Sequence, residues 1–142
     1  MKISARNILA GKVGKVAKGA VNAEVDLELT GGEMIAAIIT NSSVESLSLG
    51  VGRAAYAVIK ASDVMIGRGM DGVKLSARNV LHGTVAGVHE GAVNSEVTVR
   101  LAGGSQVVAS ITKESVHKLG LKQGEAVSAV IKASSVMIGV DH

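Results

Sequence analysis

A period of two runs through most of the chain. In Glu24–Leu29, Val25, Leu27 and Leu29 fall on one side while Glu24, Asp26 and Glu28 fall on the other. That is the alternation of a half-buried β-strand. The signature recurs at Glu96–Leu101, where Val97, Val99 and Leu101 oppose Glu96, Thr98 and Arg100. Each run is followed by a glycine pair, Gly31-Gly32 or Gly103-Gly104, and then by a second apolar run, which predicts a hairpin. A later run, Arg53–Ala61 or Glu125–Ala133, predicts one more strand. Ahead of it, Val44 and Leu47 (Val116 and Leu119) are spaced i, i+3 behind Thr, Asn and Ser residues able to cap. A helix of one or two turns is expected there. Four or five short strands and one short helix per half predict an all-β fold: two tandem OB-like Greek-key barrels, each with one short helix.

The halves are copies. Lys2–Leu9 (KISARNIL) returns as Lys74–Leu81 (KLSARNVL), 72 residues later, and the same offset carries Gly19–Val25 onto Gly91–Val97. It also carries Ala57–Gly67 onto Ala129–Gly139 without a gap, and roughly 37 of 66 aligned pairs are identical. The organisation expected is module 1 over residues 1–67, a Gly-rich linker over 68–73 and module 2 over 74–142.

Composition sharpens this picture. The chain has no Cys, Phe, Trp or Pro, and Tyr56 is its one aromatic residue. Disulfides and thiolate metal sites are excluded. The four histidines have neither ligand spacing nor a carboxylate partner retained in both copies, so no metal bound by direct side-chain coordination is expected. A core of Val, Ile, Leu, Met and Ala, without the large contribution of aromatic rings, leaves little burial to spare in a small module. An obligate oligomer follows as an expectation. The N-terminus gathers no apolar signal-like region and no stretch reaches the length of a membrane span, which points to a cytoplasmic protein with no membrane partner. Single-stranded nucleic acid binds OB barrels through bases stacked on aromatic rings. Tyr56 alone, replaced by Ser128 in the second copy, supplies no such platform, so no nucleic-acid partner is expected. No nucleophile–base pair is visible, so catalytic residues are expected to be none and the protein is read as a non-enzyme.

The formal net charge is +3, with no basic run of five or six residues. Charges kept at matched positions are Lys2/Lys74, Arg6/Arg78, Lys60/Lys132 and the acidic Glu24/Glu96. The basic ones sit in two motifs, SARN and KAS. Two readings stand side by side. In one, SARN closes a turn and Lys60 is an exposed strand residue. In the other, the motifs form an anion cradle. Ser4, Arg6 and Asn7 offer a hydroxyl, a guanidinium and an amide, Lys60 and Ser62 an ammonium and a hydroxyl, and small Ala5 and Ala61 admit an anion to backbone N–H groups. A tetrahedral dianion, with four acceptor oxygens, needs such a mixture. The segment Gly19–Asn22 reads as a β-turn; around a three-fold axis, identical copies of it would form a ring of donors.

These repeated motifs (SARN, GAVN.EV, and IKAS followed by VMI) resemble the molybdate-binding Mop family over essentially the whole chain, twice, and the tandem arrangement resembles its molbindin-type members. The resemblance implies OB-like modules in a homotrimer, with molybdate or tungstate as the bound oxyanion ligand and no organic cofactor. Carried over residue by residue, it points to Ser4, Ala5, Arg6, Lys60, Ala61 and Ser62. In the second copy it points to Ser76, Ala77, Arg78, Lys132, Ala133 and Ser134. A second site near the axis would use Ala20, Val21 and Asn22 with Ala92, Val93 and Asn94. Asp63 becomes Ser135, which leaves open whether the two oxyanion sites share one affinity. No Walker A motif and no helix-turn-helix fits the remaining residues, so the role implied is storage and homeostasis of the oxyanion. The sites are expected at module and subunit interfaces, Lys60 or Lys132 of one module meeting SARN of another.

Overall fold

Alternation in the sequence becomes alternation in burial. Val25, Leu27, Val97 and Val99 are fully buried, and their neighbours Glu24, Asp26, Glu96 and Thr98 lie partly open on the other face. The structure, a computed structural model, describes residues 1–141. The first repeat forms β1 (Asn7–Lys18), β2 (Asn22–Leu29), β3 (Met34–Thr40), α1 (Asn41–Ser46), β4 (Ala54–Ile59) and β5 (Met65–Gly67). The second forms β6 (Asn79–Glu90), β7 (Asn94–Leu101), β8 (Gln106–Thr112), α2 (Lys113–Leu119), β9 (Ala126–Ile131) and β10 (Met137–Gly139). The helices begin where capping chemistry predicts: Thr40 and Thr112 Oγ1 accept the N–H of Ser43 and Ser115, each at 3.1 Å.

Two five-stranded sheets result, ordered β10-β4-β1-β2-β3 and β5-β9-β6-β7-β8. Each therefore takes its end strand from the other repeat. Strand β5 pairs antiparallel with β9 (Met65 opposite Val130), and β10 pairs with β4 (Met137 opposite Val58). The exchange is reciprocal. It gives each sheet an end strand that its own repeat does not supply and covers an edge of each sheet with the other repeat.

The long strands β1 and β6 serve both halves of their barrels, pairing with β2 and β4, or β7 and β9. A register shift between Val13 and Lys15, matched between Val85 and Gly87, bends each strand so that the sheet curls. Neighbouring strands approach tightly at Gly11 and Gly83, where a Cβ would collide with the carbonyl groups of Glu28 on β2 and Arg100 on β7. The aliphatic core expected from composition is what fills the barrels: Leu27, Ile35 and Ile59 in one, Leu101, Val107 and Ile131 in the other.

Candidate functional site

Register explains why the two motifs meet. In the antiparallel pair β1–β4, Asn7 lies opposite Ile59, so Arg6, one residue before β1, and Lys60, one residue after β4, emerge at the same edge. The pair β6–β9 repeats this with Asn79 opposite Ile131, bringing Arg78 beside Lys132. After each lysine the chain turns through a short 3-10 helix, Ala61–Asp63 or Ala133–Ser135, closed by Asp63 N–H donating to Lys60 C=O at 3.0 Å and Ser135 N–H to Lys132 C=O at 2.9 Å. The first N–H groups of such a turn have no partner inside it. They belong to Ala61, Ser62, Ala133 and Ser134.

Two cavities follow. One, of about 420 Å³, is lined by Ser4, Ala5, Arg6, Lys60, Ala61 and Ser62. The other, of about 530 Å³, is lined by Ser76, Ala77, Arg78, Lys132, Ala133 and Ser134. Every residue singled out for the two oxyanion sites thus lines one cavity or the other. Within the chain Lys60 lines a cavity with the SARN motif of its own repeat, because the β1–β4 register makes them neighbours; a pairing across subunits belongs to the assembly.

The opposite repeat nevertheless completes each cavity. Strand exchange carries Met137 into the wall beside Lys60 and Met65 into the wall beside Lys132. Glu96 and Ser110 line the Ser4 cavity, and Ile38 lines the Ser76 cavity. Arg6 forms an ion pair with Glu96, and Arg78 with Glu24, the guanidinium of Arg78 also reaching Glu24 Oε2 through Nη2 at 3.2 Å. These pairs are half-exposed and contribute at most about 1 kcal/mol each to stability. Their consequence is geometric. They orient the guanidinium while leaving some of its five N–H donors free. Retention of Glu24/Glu96 in both copies was the sequence signal for this role; the methionines had a weaker one, the shared VMIG segment.

Two residue groups sit elsewhere. The Asn7 amide does not join the cradle. It is buried, with Oδ1 accepting Val108 N–H at 2.7 Å and Nδ2 donating to Val108 C=O at 2.8 Å, and is spent on holding the repeats together. Residues Ala20, Val21 and Asn22, like Ala92, Val93 and Asn94, occupy exposed hairpin tips and line neither cavity. There Gly19 N–H donates to Asn22 C=O at 2.7 Å, and Gly91 N–H to Asn94 C=O at 2.9 Å, closing the hairpin where a turn was expected. Among the described residues no cluster of three His, Cys, Asp or Glu residues is placed to hold a metal ion, and no helix is long and apolar enough to cross a membrane.

Each cavity therefore gathers serine hydroxyls (Ser4, Ser62 and Ser110 in one, Ser76 and Ser134 in the other), a guanidinium, an ammonium and turn amides around a space open to an anion. The TOBE domain model matches residues 3–66 and again 75–138. The molybdenum transport protein ModE of Azotobacter vinelandii is 44% identical over 140 residues, 99% of this chain and 52% of that protein. The molybdenum-pterin-binding protein MopA of Rhodobacter capsulatus is 41% identical, over 99% of this chain and 53% of its own length. The chain spans about half the length of these curated relatives. A crystal structure of the cytoplasmic molybdate-binding protein ModG, with molybdate bound, superimposes with a TM-score of 0.96 at 51% identity, covering 99% of this chain and all of that one.

Proposed function

The chain belongs to the TOBE-domain family, in two tandem copies, and from that premise we propose that it binds molybdate or tungstate in the two cavities without transforming it. The observation that carries this reading is that Ser4–Arg6 and Lys60–Ser62 line one cavity, and Ser76–Arg78 and Lys132–Ser134 the other, with Arg6 and Lys60, like Arg78 and Lys132, 54 residues apart. Four acceptor oxygens are matched by hydroxyls, turn amides and cationic N–H groups. With each arginine largely neutralised by its glutamate, the cavity keeps about one net positive charge, enough to attract a dianion but too little to hold anions indiscriminately.

The functional unit we propose is the whole tandem chain, residues 1–67 and 74–142 joined through 68–73, acting in the cytoplasm to store and buffer the oxyanion. It assembles as a homotrimer. Supporting an assembly, the chain exposes 7859 Å², against about 6800 Å² for a compact monomer of 14.3 kDa. Apolar side chains Ile3, Met137, Met65, Leu75 and Ile38 stand open around the cavity mouths, where a neighbouring copy would cover them and exclude water. Around a three-fold axis the exposed tips Ala20–Asn22 and Ala92–Asn94 would converge as a second ring of amide donors. Release is by mass action and needs no covalent step.

Native mass spectrometry and thermal melting with and without molybdate test the proposal. Expected are an oligomer that gains molybdate mass and a chain stabilised by about 2.7 kcal/mol per site at one hundred times the dissociation constant. An oligomer with no mass increment and an unmoved melting temperature would reduce the protein to an assembly module.

A further inference from the structure

The two cavities share their cationic side chains but differ in their far wall. Across β2–β3, Glu24 lies opposite Ile38; across β7–β8, Glu96 lies opposite Ser110. Each glutamate holds the arginine of the other repeat's SARN motif, so the residue opposite it stands beside that arginine. Ile38 lines the Ser76 cavity and Ser110 the Ser4 cavity. At equivalent places one cavity presents a branched hydrocarbon and the other a hydroxyl.

We infer that Ser110 is a specificity-determining residue that makes the Ser4 cavity the tighter of two unequal oxyanion sites. The inference rests on the oxyanion reading above. A fully deprotonated tetrahedral dianion has only acceptors, so an added hydroxyl stabilises it without adding charge. Ile38 displaces water from the ligand and returns no hydrogen bond. A hydrogen bond to a charged group changes affinity by about tenfold or more. Asp63 acts in the opposite sense, since it follows Ser62 where Ser135 follows Ser134. It lies only half-buried, and water and salt reduce the effect of its charge to about twofold. One Arg and one Lys line each cavity, and each Arg is paired with one Glu of the other repeat, of which Glu96 also lines the Ser4 cavity. The hydroxyl decides.

Calorimetric titration of molybdate into the full chain tests this with wild type, Ser110→Ala and Ile38→Ser. Wild type should give two classes of site about tenfold apart. Ser110→Ala should weaken the tight class alone, and Ile38→Ser should strengthen the weak class alone. Wild-type binding with a single affinity, or a Ser110→Ala isotherm that superimposes on it, overturns the inference and leaves the oxyanion reading intact. A wild-type chain that takes up no molybdate overturns both.

Discussion

Asn79 treats the backbone of Ala36 as a strand would: its Oδ1 accepts the Ala36 N–H and its Nδ2 donates to the Ala36 C=O, both at 2.8 Å. One buried side chain thereby satisfies a peptide unit of the other repeat, and Asn7 does the same for Val108. Since Asn79 directly follows Arg78, the clip also anchors the strand end from which that arginine projects.

Removing the clip should loosen the seam between repeats. Asn79→Ala leaves the Ala36 N–H and C=O without these partners at a buried position, each costing about 1–3 kcal/mol. We expect a loss of about 2–4 kcal/mol in urea unfolding. Asn7→Ala should act in the same direction. A change below about 0.5 kcal/mol would mean that strand exchange alone holds the seam.

Lysine at the cavity edge should matter to the ligand and not to the fold. Lys132 and Lys60 are exposed, so alanine at either should shift unfolding by less than about 0.5 kcal/mol. Each substitution removes one charge-assisted contact and should weaken one class of sites by about tenfold or more. Calorimetry with unchanged stoichiometry and affinity would show that the lysine is a bystander.

Tyr56 offers an isolated optical probe. Its hydroxyl donates to the Asp141 carboxylate at 2.8 Å, and that bond, together with the negative charge, holds the phenol above its ordinary 10.0. A raised folded value means that the pair's small contribution is fully present below the unfolded pKa and is lost as pH rises through the folded one. Ultraviolet titration of the one aromatic residue should therefore give a late midpoint, and Asp141→Ala should return it toward that of a free phenol. Identical midpoints in the two proteins would show that the contact does not persist in solution.

Much of the site's inventory was legible in one dimension. Hydroxyl, guanidinium and ammonium groups repeated at matched positions marked the cradle, because a second copy shows which side chains both modules kept. Ser110 and Ile38 gave no such mark. They differ between copies, and only register across a hairpin turns that difference into two unlike walls.

The chain by itself determined the alternating strands, the threonine-capped helices and the tandem repeat, since period, capping and turn chemistry act between residues a few positions apart. Tertiary structure decided the partners. Met65–Gly67 and Met137–Gly139 are identical triplets, and β4 and β9 offer them nearly the same edge, so nothing local distinguishes pairing within a repeat from exchange between repeats. Likewise Asn7 and Asn79 are as suited to an anion as to a peptide group. Which one each meets is set by the packing of one barrel against the other, an interaction between distant segments that no local pattern encodes.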